Sequence, residues 1–173
     1  MVTTTKRYPC EPVTPAFLDT APIRMIATVD IAATAAEVWT ALEDAAAWPR
    51  WVAVIKAVEW TSARPFQIGT TRTVRMSGNM TAYEEFIEWE LHSRMSFRFN
   101  EASMQGVSAF AERYSLEEVT PGLTRLTWVM AMQPGGISKL IVGSMRLPGQ
   151  LLLTRMLRRL GRLVESEYAA AER

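Results

Sequence analysis

The sequence predicts an α+β fold in which a curved, seven-stranded antiparallel sheet wraps around a long C-terminal helix. Seven segments with the alternating polar and apolar residues of strands follow one another, and no βαβ units occur between them. The chain ends in one long amphipathic segment, the only element long enough to cover the apolar face of such a sheet. A chain of 173 residues is long enough for one domain with a full core.

The first 22 residues are expected to form an extended arm ahead of a single domain that spans residues 23–173. Four prolines interrupt this arm: Pro9, Pro12, Pro15 and Pro22. Proline is suited neither to the interior of a helix nor to a central strand, so no regular element is expected here. Phe17 and Leu18 are the side chains through which the arm would dock on the domain.

The first strand and two short helices open the predicted domain. The strand is indicated by apolar residues at alternate positions: Ile23, Met25, Ala27, Val29 and Ile31. Thr34 and Glu37 then have the spacing of a capping box, which predicts a helix that starts at Ala35. Pro49 prevents this helix from continuing past Trp48, so a second short helix or turn follows.

Six further strands and the final helix complete the predicted fold. The strands are expected at residues 54–60, 70–76, 80–91, 95–100, 109–116 and 125–132, with Gly78-Asn79 as one hairpin turn. In the fourth strand, one face is predicted to carry Tyr83, Ile87, Trp89 and Leu91, and the other Glu84, Glu88 and Glu90. The final helix is predicted from apolar residues at intervals of three and four: Leu153, Met156, Leu157, Leu160, Val164 and Tyr168.

Composition and motifs exclude several classes of function. The 19 basic and 18 acidic residues nearly cancel, so no global field favours a nucleic-acid partner. Cys10 is the lone cysteine, and neither a metal-ligand cluster nor a glycine-rich phosphate loop is apparent, so no metal and no cofactor are expected. His92 lies in a predicted turn, where a solvated residue is expected rather than a base. Without a signal peptide or an apolar span, we expect a cytoplasmic protein.

The segment around the two short helices resembles a known superfamily. The residues that carry the resemblance are Ile31, Thr34, Ala35, Ala36, Glu37, Val38, Trp39, Leu42, Asp44, Trp48, Pro49, Arg50 and Trp51. They are similar to the opening of the START/Bet v 1-like (SRPBCC) superfamily, in its polyketide cyclase/dehydrase and lipid-transport branch, and the resemblance covers about residues 23–171. It implies the helix-grip fold, with a cavity between the sheet and the C-terminal helix.

A hydrophobic small molecule in that cavity is the preferred hypothesis, with a lipid, a polyketide-like compound or an isoprenoid as the ligand. Taken alone, the many methionines at inward positions favour a filled core, and only the resemblance favours a cavity. The predicted ligand-binding residues are Trp48, Trp51, Tyr83, Trp89, Phe97, Phe99, Phe110, Tyr114, Trp128, Met130, Met132, Met145 and Met156. Trp48 and Trp51 suit a core position as well as a pocket rim.

An enzyme of the polyketide cyclase/aromatase type, acting on a poly-β-ketone, is the first alternative. In the resembling enzymes, arginines and tyrosines of the pocket orient the substrate, and the candidates here are Arg72, Arg98, Arg113, Tyr83 and Tyr114. The strand pattern places both tyrosines inward but Arg98 and Arg113 outward, which leaves no clear cationic partner. The acid pairs Glu84-Glu85 and Glu117-Glu118 are expected to be solvated. Binding is therefore ranked above catalysis, and no catalytic residue is assigned.

A basic helix face is the basis of the second alternative. Residues 137–163 contain six cations and no acidic residue, and the cations are Lys139, Arg146, Arg155, Arg158, Arg159 and Arg162. A solvated face is the simpler explanation. The other is transient contact with an anionic membrane surface, or with a partner protein as in stress-response or toxin-like relatives. The sequence leaves a monomer and a homodimer equally open.

Overall fold

The structure, a computed structural model, describes residues 6–135 and 146–169. Its strands are β1 (Tyr8–Pro9), β2 (Ile23–Ile31), β3 (Ile55–Trp60), β4 (Thr71–Met76), β5 (Thr81–Glu90), β6 (Arg94–Ala102), β7 (Val107–Thr120) and β8 (Leu123–Pro134). Its helices are α1 (Phe17–Thr20), α2 (Ala35–Glu43), α3 (Trp48–Trp51) and α4 (Arg146–Leu163), which continues as a π-helical turn (Val164–Tyr168). No helix among the described residues has the length and apolar character needed to cross a membrane.

Seven strands form one curled antiparallel sheet in the order β2-β8-β7-β6-β5-β4-β3. The apolar side chains of its concave face pack against α4, whose Leu153, Leu157 and Leu160 are buried. The α+β helix-grip fold predicted from the sequence is confirmed. The predicted Gly78-Asn79 turn is also present, since both residues adopt the positive φ angles that a tight hairpin requires.

The corner formed by α2 and α3 follows the predicted capping pattern. The amide of Glu37 donates to the Thr34 hydroxyl (3.3 Å), and the amide of Thr34 donates to the Glu37 carboxylate (2.6 Å), so the capping box is complete. Beyond the helix, the indole N–H of Trp48 donates to the carbonyl of Leu42 at 3.0 Å. This bond fixes the corner and directs the buried rings of Trp48 and Trp51 under the sheet.

The N-terminal arm joins the sheet through β1, which pairs with β6, and then packs on the outside of the sheet. The pairing of β6 with β7 ends at Arg98 and Ala111. Beyond this point the arm lies between the two strands, where the amide of Cys10 donates to the carbonyl of Asn100 and the amide of Glu11 to the carbonyl of Ser108. Leu18 is fully buried against three outward side chains, Ala111, Val129 and Ala131. The arm is not wholly extended as predicted, because it contains β1 and the helical turn α1. The division of the chain at residue 22 stays a prediction.

A bulge in β5 reverses part of the predicted inward and outward pattern. The pairing of β5 with β6 shifts register between Phe86 and Glu88. Before this point Ala82, Glu84 and Phe86 are buried, whereas after it Trp89 packs against the core. One extra residue switches the face on which all later side chains lie. The inward placement predicted for Tyr83 and the solvated position predicted for Glu84 are therefore wrong.

Candidate functional site

A cavity of about 250 Å³ lies between the concave face of the sheet, the α3 corner and α4. This volume is just below the roughly 300 to 1,000 Å³ that is usual for small-molecule sites. Its aromatic walls are Trp48, Phe97, Phe99, Phe110, Tyr114 and Trp128. Its methionines are Met76, Met80, Met130, Met132 and Met156. Long, unbranched thioethers can adjust to ligands of irregular shape, so this wall is adaptable.

Nine of the residues predicted to bind a ligand line the cavity. They are Trp48, Phe97, Phe99, Phe110, Tyr114, Trp128, Met130, Met132 and Met156. Three others, Trp51, Tyr83 and Trp89, do not line it, and Met145 lies outside the described residues. The structure thus brings most of the set together, while their role in binding stays a prediction.

The three predicted residues outside the cavity have other neighbours. Trp51 lies behind the cavity wall, with its ring centroid 5.7 Å from that of Trp128. Trp89 packs edge-on against Trp39, with the ring centroids 5.2 Å apart. Tyr83 lies on the outer face, 3.8 Å below the guanidinium of Arg7. Aromatic character alone does not distinguish these positions, because all three suit a core or a surface stack.

A buried ion pair forms one side of the cavity. Arg72 of β4 and Glu84 of β5 are register partners, and the Nε of Arg72 donates to the Glu84 carboxylate at 2.5 Å. The guanidinium carbon lies 4.2 Å from the ring centre of Trp48 and 4.4 Å from that of Phe97, close enough for cation-π attraction. The Nη1 atom of Arg72 has no hydrogen-bond partner within residues 6–135 and 146–169. Arg72, one of the candidate arginines named from the sequence, is thus the inward cation of the cavity.

A second buried acid faces the same cavity. Glu112 of β7 accepts a hydrogen bond of 2.8 Å from the hydroxyl of Tyr114. Burial, together with the nearby Glu84 charge, raises the pKa of Glu112 to about 8 against the opposing effects of Tyr114, Arg72 and Trp128. Burial also raises the pKa of Tyr114 well above its ordinary value. Both side chains are therefore protonated at neutral pH.

These polar side chains form one cluster within apolar walls. Trp48 contacts both the Arg72 guanidinium (4.2 Å) and the Tyr114 ring (5.7 Å), so the two pairs are neighbours. The indole N–H of Trp128 is near enough to lower the pKa of Glu112, although it forms no hydrogen bond of normal geometry with any described residue. The charge of Arg72 is balanced by that of the buried Glu84. Burial raises the pKa of Glu84 and Arg72 lowers it, and the effect of burial is the larger.

The chemistry of the cluster follows from its protonation. With Glu112 neutral, the cluster has no net charge and an excess of hydrogen-bond donors over free acceptors. Such a cluster can bind a carbonyl or hydroxyl oxygen, and a neutral carboxyl can also deliver a proton to it. No cluster of three His, Cys, Asp or Glu side chains among the described residues could hold a metal ion.

Two of the three buried charged residues in the described part of the chain could have been placed inward from the sequence. Glu112 lies between Phe110 and Tyr114 in a strand that alternates, so its side chain points inward with theirs. Arg72 lies on the same face of β4 as Val74 and Met76, so its side chain also points inward. The inward position of Glu84 could not be predicted in this way, because the bulge in β5 breaks the alternation of inward and outward side chains.

Comparison with known proteins identifies the family. Residues 22–165 match the family described as polyketide cyclase / dehydrase and lipid transport. An uncharacterized protein of Mycobacterium tuberculosis is 46% identical over 165 residues, which cover 95% of this chain and 98% of that protein.

Solved structures show the same fold. The Zhui aromatase/cyclase from Streptomyces sp. R1128 has a TM-score of 0.66 at 17% identity, covering 86% of this chain and 96% of that one. A START superfamily protein from Mycobacterium smegmatis has a TM-score of 0.61 at 15% identity, covering 86% and 98%. The chain therefore belongs to the polyketide cyclase/dehydrase and lipid-transport family, and it has the fold of the START superfamily protein.

Proposed function

We propose that the protein binds a neutral, largely apolar small molecule whose carbonyl or similar acceptor oxygen is buried against the polar cluster. The observation that carries the proposal is the buried Nη1 of Arg72, which has no hydrogen-bond partner among the described residues and belongs to a side chain that lines the cavity together with the protonated Glu112. A buried donor without a partner costs about 1 to 3 kcal/mol, and a ligand oxygen would remove that penalty.

A neutral ligand is favoured over an anionic one by the charges of the cluster. A ligand carboxylate would gain attraction from Arg72, but Glu84 already neutralises that charge at 2.5 Å. It would also be repelled by Glu84 in a site that excludes water. A ketone, ester or amide oxygen accepts the same hydrogen bonds without this repulsion.

The apolar walls would supply most of the affinity. Burying about 300 Å² of apolar ligand surface contributes roughly 7 kcal/mol before the costs of association are subtracted. We therefore expect micromolar or weaker binding from apolar contact, and tighter binding only where the ligand oxygen meets the donors.

Native mass spectrometry of the purified protein, followed by organic extraction, is the first test, because it detects any small molecule that the protein retains. The second test compares a long-chain methyl ketone with the alkane and the carboxylate of equal length, by calorimetry or by displacement of a fluorescent lipid analogue. The ketone should bind most tightly. Equal affinity of the alkane would contradict the role of the polar cluster.

Two tyrosines provide a matched pair of variants for this test. Tyr114→Phe removes a hydroxyl inside the cavity, whereas Tyr83→Phe removes one on the outer face of the sheet. The first should weaken ketone binding, since Glu112 loses the donor that holds it in place. The second should leave affinity unchanged. Equal effects of the two variants would count against this cavity as the binding site.

An enzyme of the cyclase type is the second candidate, favoured by the position of Glu112. A buried carboxyl with a pKa of about 8 is suited to general acid catalysis near neutral pH. It could protonate a carbonyl oxygen of a β-ketone chain while the enol carbon of another unit of the chain attacks that carbonyl carbon. The enol then gives up its O–H proton to the Glu112 carboxylate, and the hydroxyl formed leaves with a neighbouring C–H proton as water in a later dehydration. Mass spectrometry of a synthetic β-ketone chain would detect the loss of water. Turnover should disappear in Glu112→Gln while binding persists, and a substrate that stays intact would leave binding as the function.

A further inference from the structure

The outward face of α4 carries a stripe of arginines and leucines. Its six residues are Leu151, Leu152, Arg155, Arg158, Arg159 and Arg162. At 100° per residue they fall within an arc of about 120° on the helix. Leu151 and Leu152 are 73% and 50% exposed, and they lie at the start of the stripe. Large apolar side chains and cations thus share one solvent-facing surface.

The charge of this stripe is not compensated within the described part of the chain. None of its four arginines forms an ion pair with a described residue, whereas every described arginine before α4 forms one, with Arg75 as the exception. On a protein with a net charge of only +1, the stripe is therefore a local positive surface. Its nearest acid along the helix, Glu165, accepts a hydrogen bond from the amide of Ala32.

The opposite face of the same helix closes the cavity. Leu153, Leu157 and Leu160 are buried against the sheet, and Met156 lines the cavity. The helix is therefore a wall with the cavity on one side and the stripe on the other. A surface that contacted the stripe would lie one helix diameter, about 10 Å, from the cavity.

We propose that this stripe docks on membranes that contain anionic lipids. Arginine binds phosphate oxygens through two parallel N–H groups, and leucines beside it can enter the boundary between headgroups and acyl chains. Docking would place the cavity wall on the bilayer from which an apolar ligand can enter. The docking itself does not depend on the proposed ligand, so the two proposals can fail separately.

Cosedimentation with lipid vesicles tests the proposal on the unmodified protein. Binding should be strong to phosphatidylcholine vesicles that contain phosphatidylserine and weak to phosphatidylcholine alone. It should fall as salt rises, because the Debye length shortens from about 10 Å at 0.1 M to 3 Å at 1 M. Binding that does not depend on salt concentration or on lipid charge would overturn the proposal, as would no binding at all.

Two double variants of equal charge assign the binding to the stripe. Arg155→Gln/Arg158→Gln removes two cations from it, and Lys56→Gln/Arg75→Gln removes two exposed cations from β3 and β4. Because each arginine near an anionic membrane contributes about fivefold, the first variant should bind about 25-fold more weakly. The second should bind as the unmodified protein does. Equal losses would refute the assignment, and circular dichroism verifies that both remain folded.

The leucines are tested in the same way. Leu151→Ser/Leu152→Ser removes the apolar part of the stripe, and Ile68→Ser/Leu91→Ser removes two side chains that are each 65% exposed elsewhere. Only the first should weaken vesicle binding. A duplex DNA of equal phosphate concentration provides the competing partner. If it displaces the protein from the vesicles and binds more tightly than they do, the stripe is a nucleic-acid surface and the proposal is wrong.

Discussion

Replacing Glu112 by glutamine should stabilise the protein at alkaline pH and leave its stability at acidic pH almost unchanged. Glutamine keeps the shape of the side chain and an oxygen that can accept the hydrogen bond from Tyr114, but it does not ionise. The buried site destabilises the ionised form of Glu112, because the effect of burial exceeds the stabilisation by Tyr114, Arg72 and Trp128.

The magnitude follows from the pKa of Glu112 in the two states of the chain. Burial raises it to about 8 in the folded protein, whereas an unfolded chain has the ordinary value of about 4.3. Between these values only the folded state holds the proton, so the free energy of unfolding falls by about 1.4 kcal/mol per pH unit. From pH 6 to 8 the unmodified protein should lose about 2 kcal/mol relative to the variant, or about 4 to 8 °C in Tm.

Urea unfolding of both proteins from pH 5 to pH 9 measures this effect. Subtracting one curve from the other removes the contribution of the remaining titratable groups. The difference should rise with pH up to about 8 and then level off. The exposed Glu59→Gln is the control and should give a flat difference. A flat difference for Glu112→Gln as well would refute the argument that this carboxyl is buried and protonated.

Three further substitutions test the ion pair, the arm and the helix cap. Arg72→Met leaves Glu84 buried without its cation and should lower the free energy of unfolding by about 3 to 5 kcal/mol in urea, and Arg72→Met/Glu84→Leu should recover most of it. Leu18→Ala should cost about 2 to 5 kcal/mol in the same assay, because the side chain is fully buried. Thr34→Ala should cost about 1 kcal/mol by thermal unfolding, since a capping bond is lost.

Each of these outcomes can fail in a distinct way. A double variant no more stable than Arg72→Met would mean that the two charges do not compensate one another. A neutral Leu18→Ala would mean that the arm is not packed on the sheet in solution. A neutral Thr34→Ala would assign the start of α2 to tertiary packing rather than to its cap.

The candidate site was predictable only where the alternation of each strand stays regular. Phe97, Phe110 and Trp128 lie in regular strands, and they line the cavity as their spacing predicts. Tyr83 does not, because the bulge in β5 reverses the faces of that strand. Such a bulge has no reliable signature in a single sequence, since it depends on the pairing with β6.

Local chemistry determined the elements of this protein and their order. The capping box of Thr34 and Glu37, the turn at Gly78-Asn79 and the spacing of apolar residues depend on neighbours within a few positions, so the sequence alone specifies them. Tertiary structure decided which charges are buried. Arg72 and Glu84 meet only through the register of β4 with β5, and the protonation of Glu112 depends on water excluded by the whole fold.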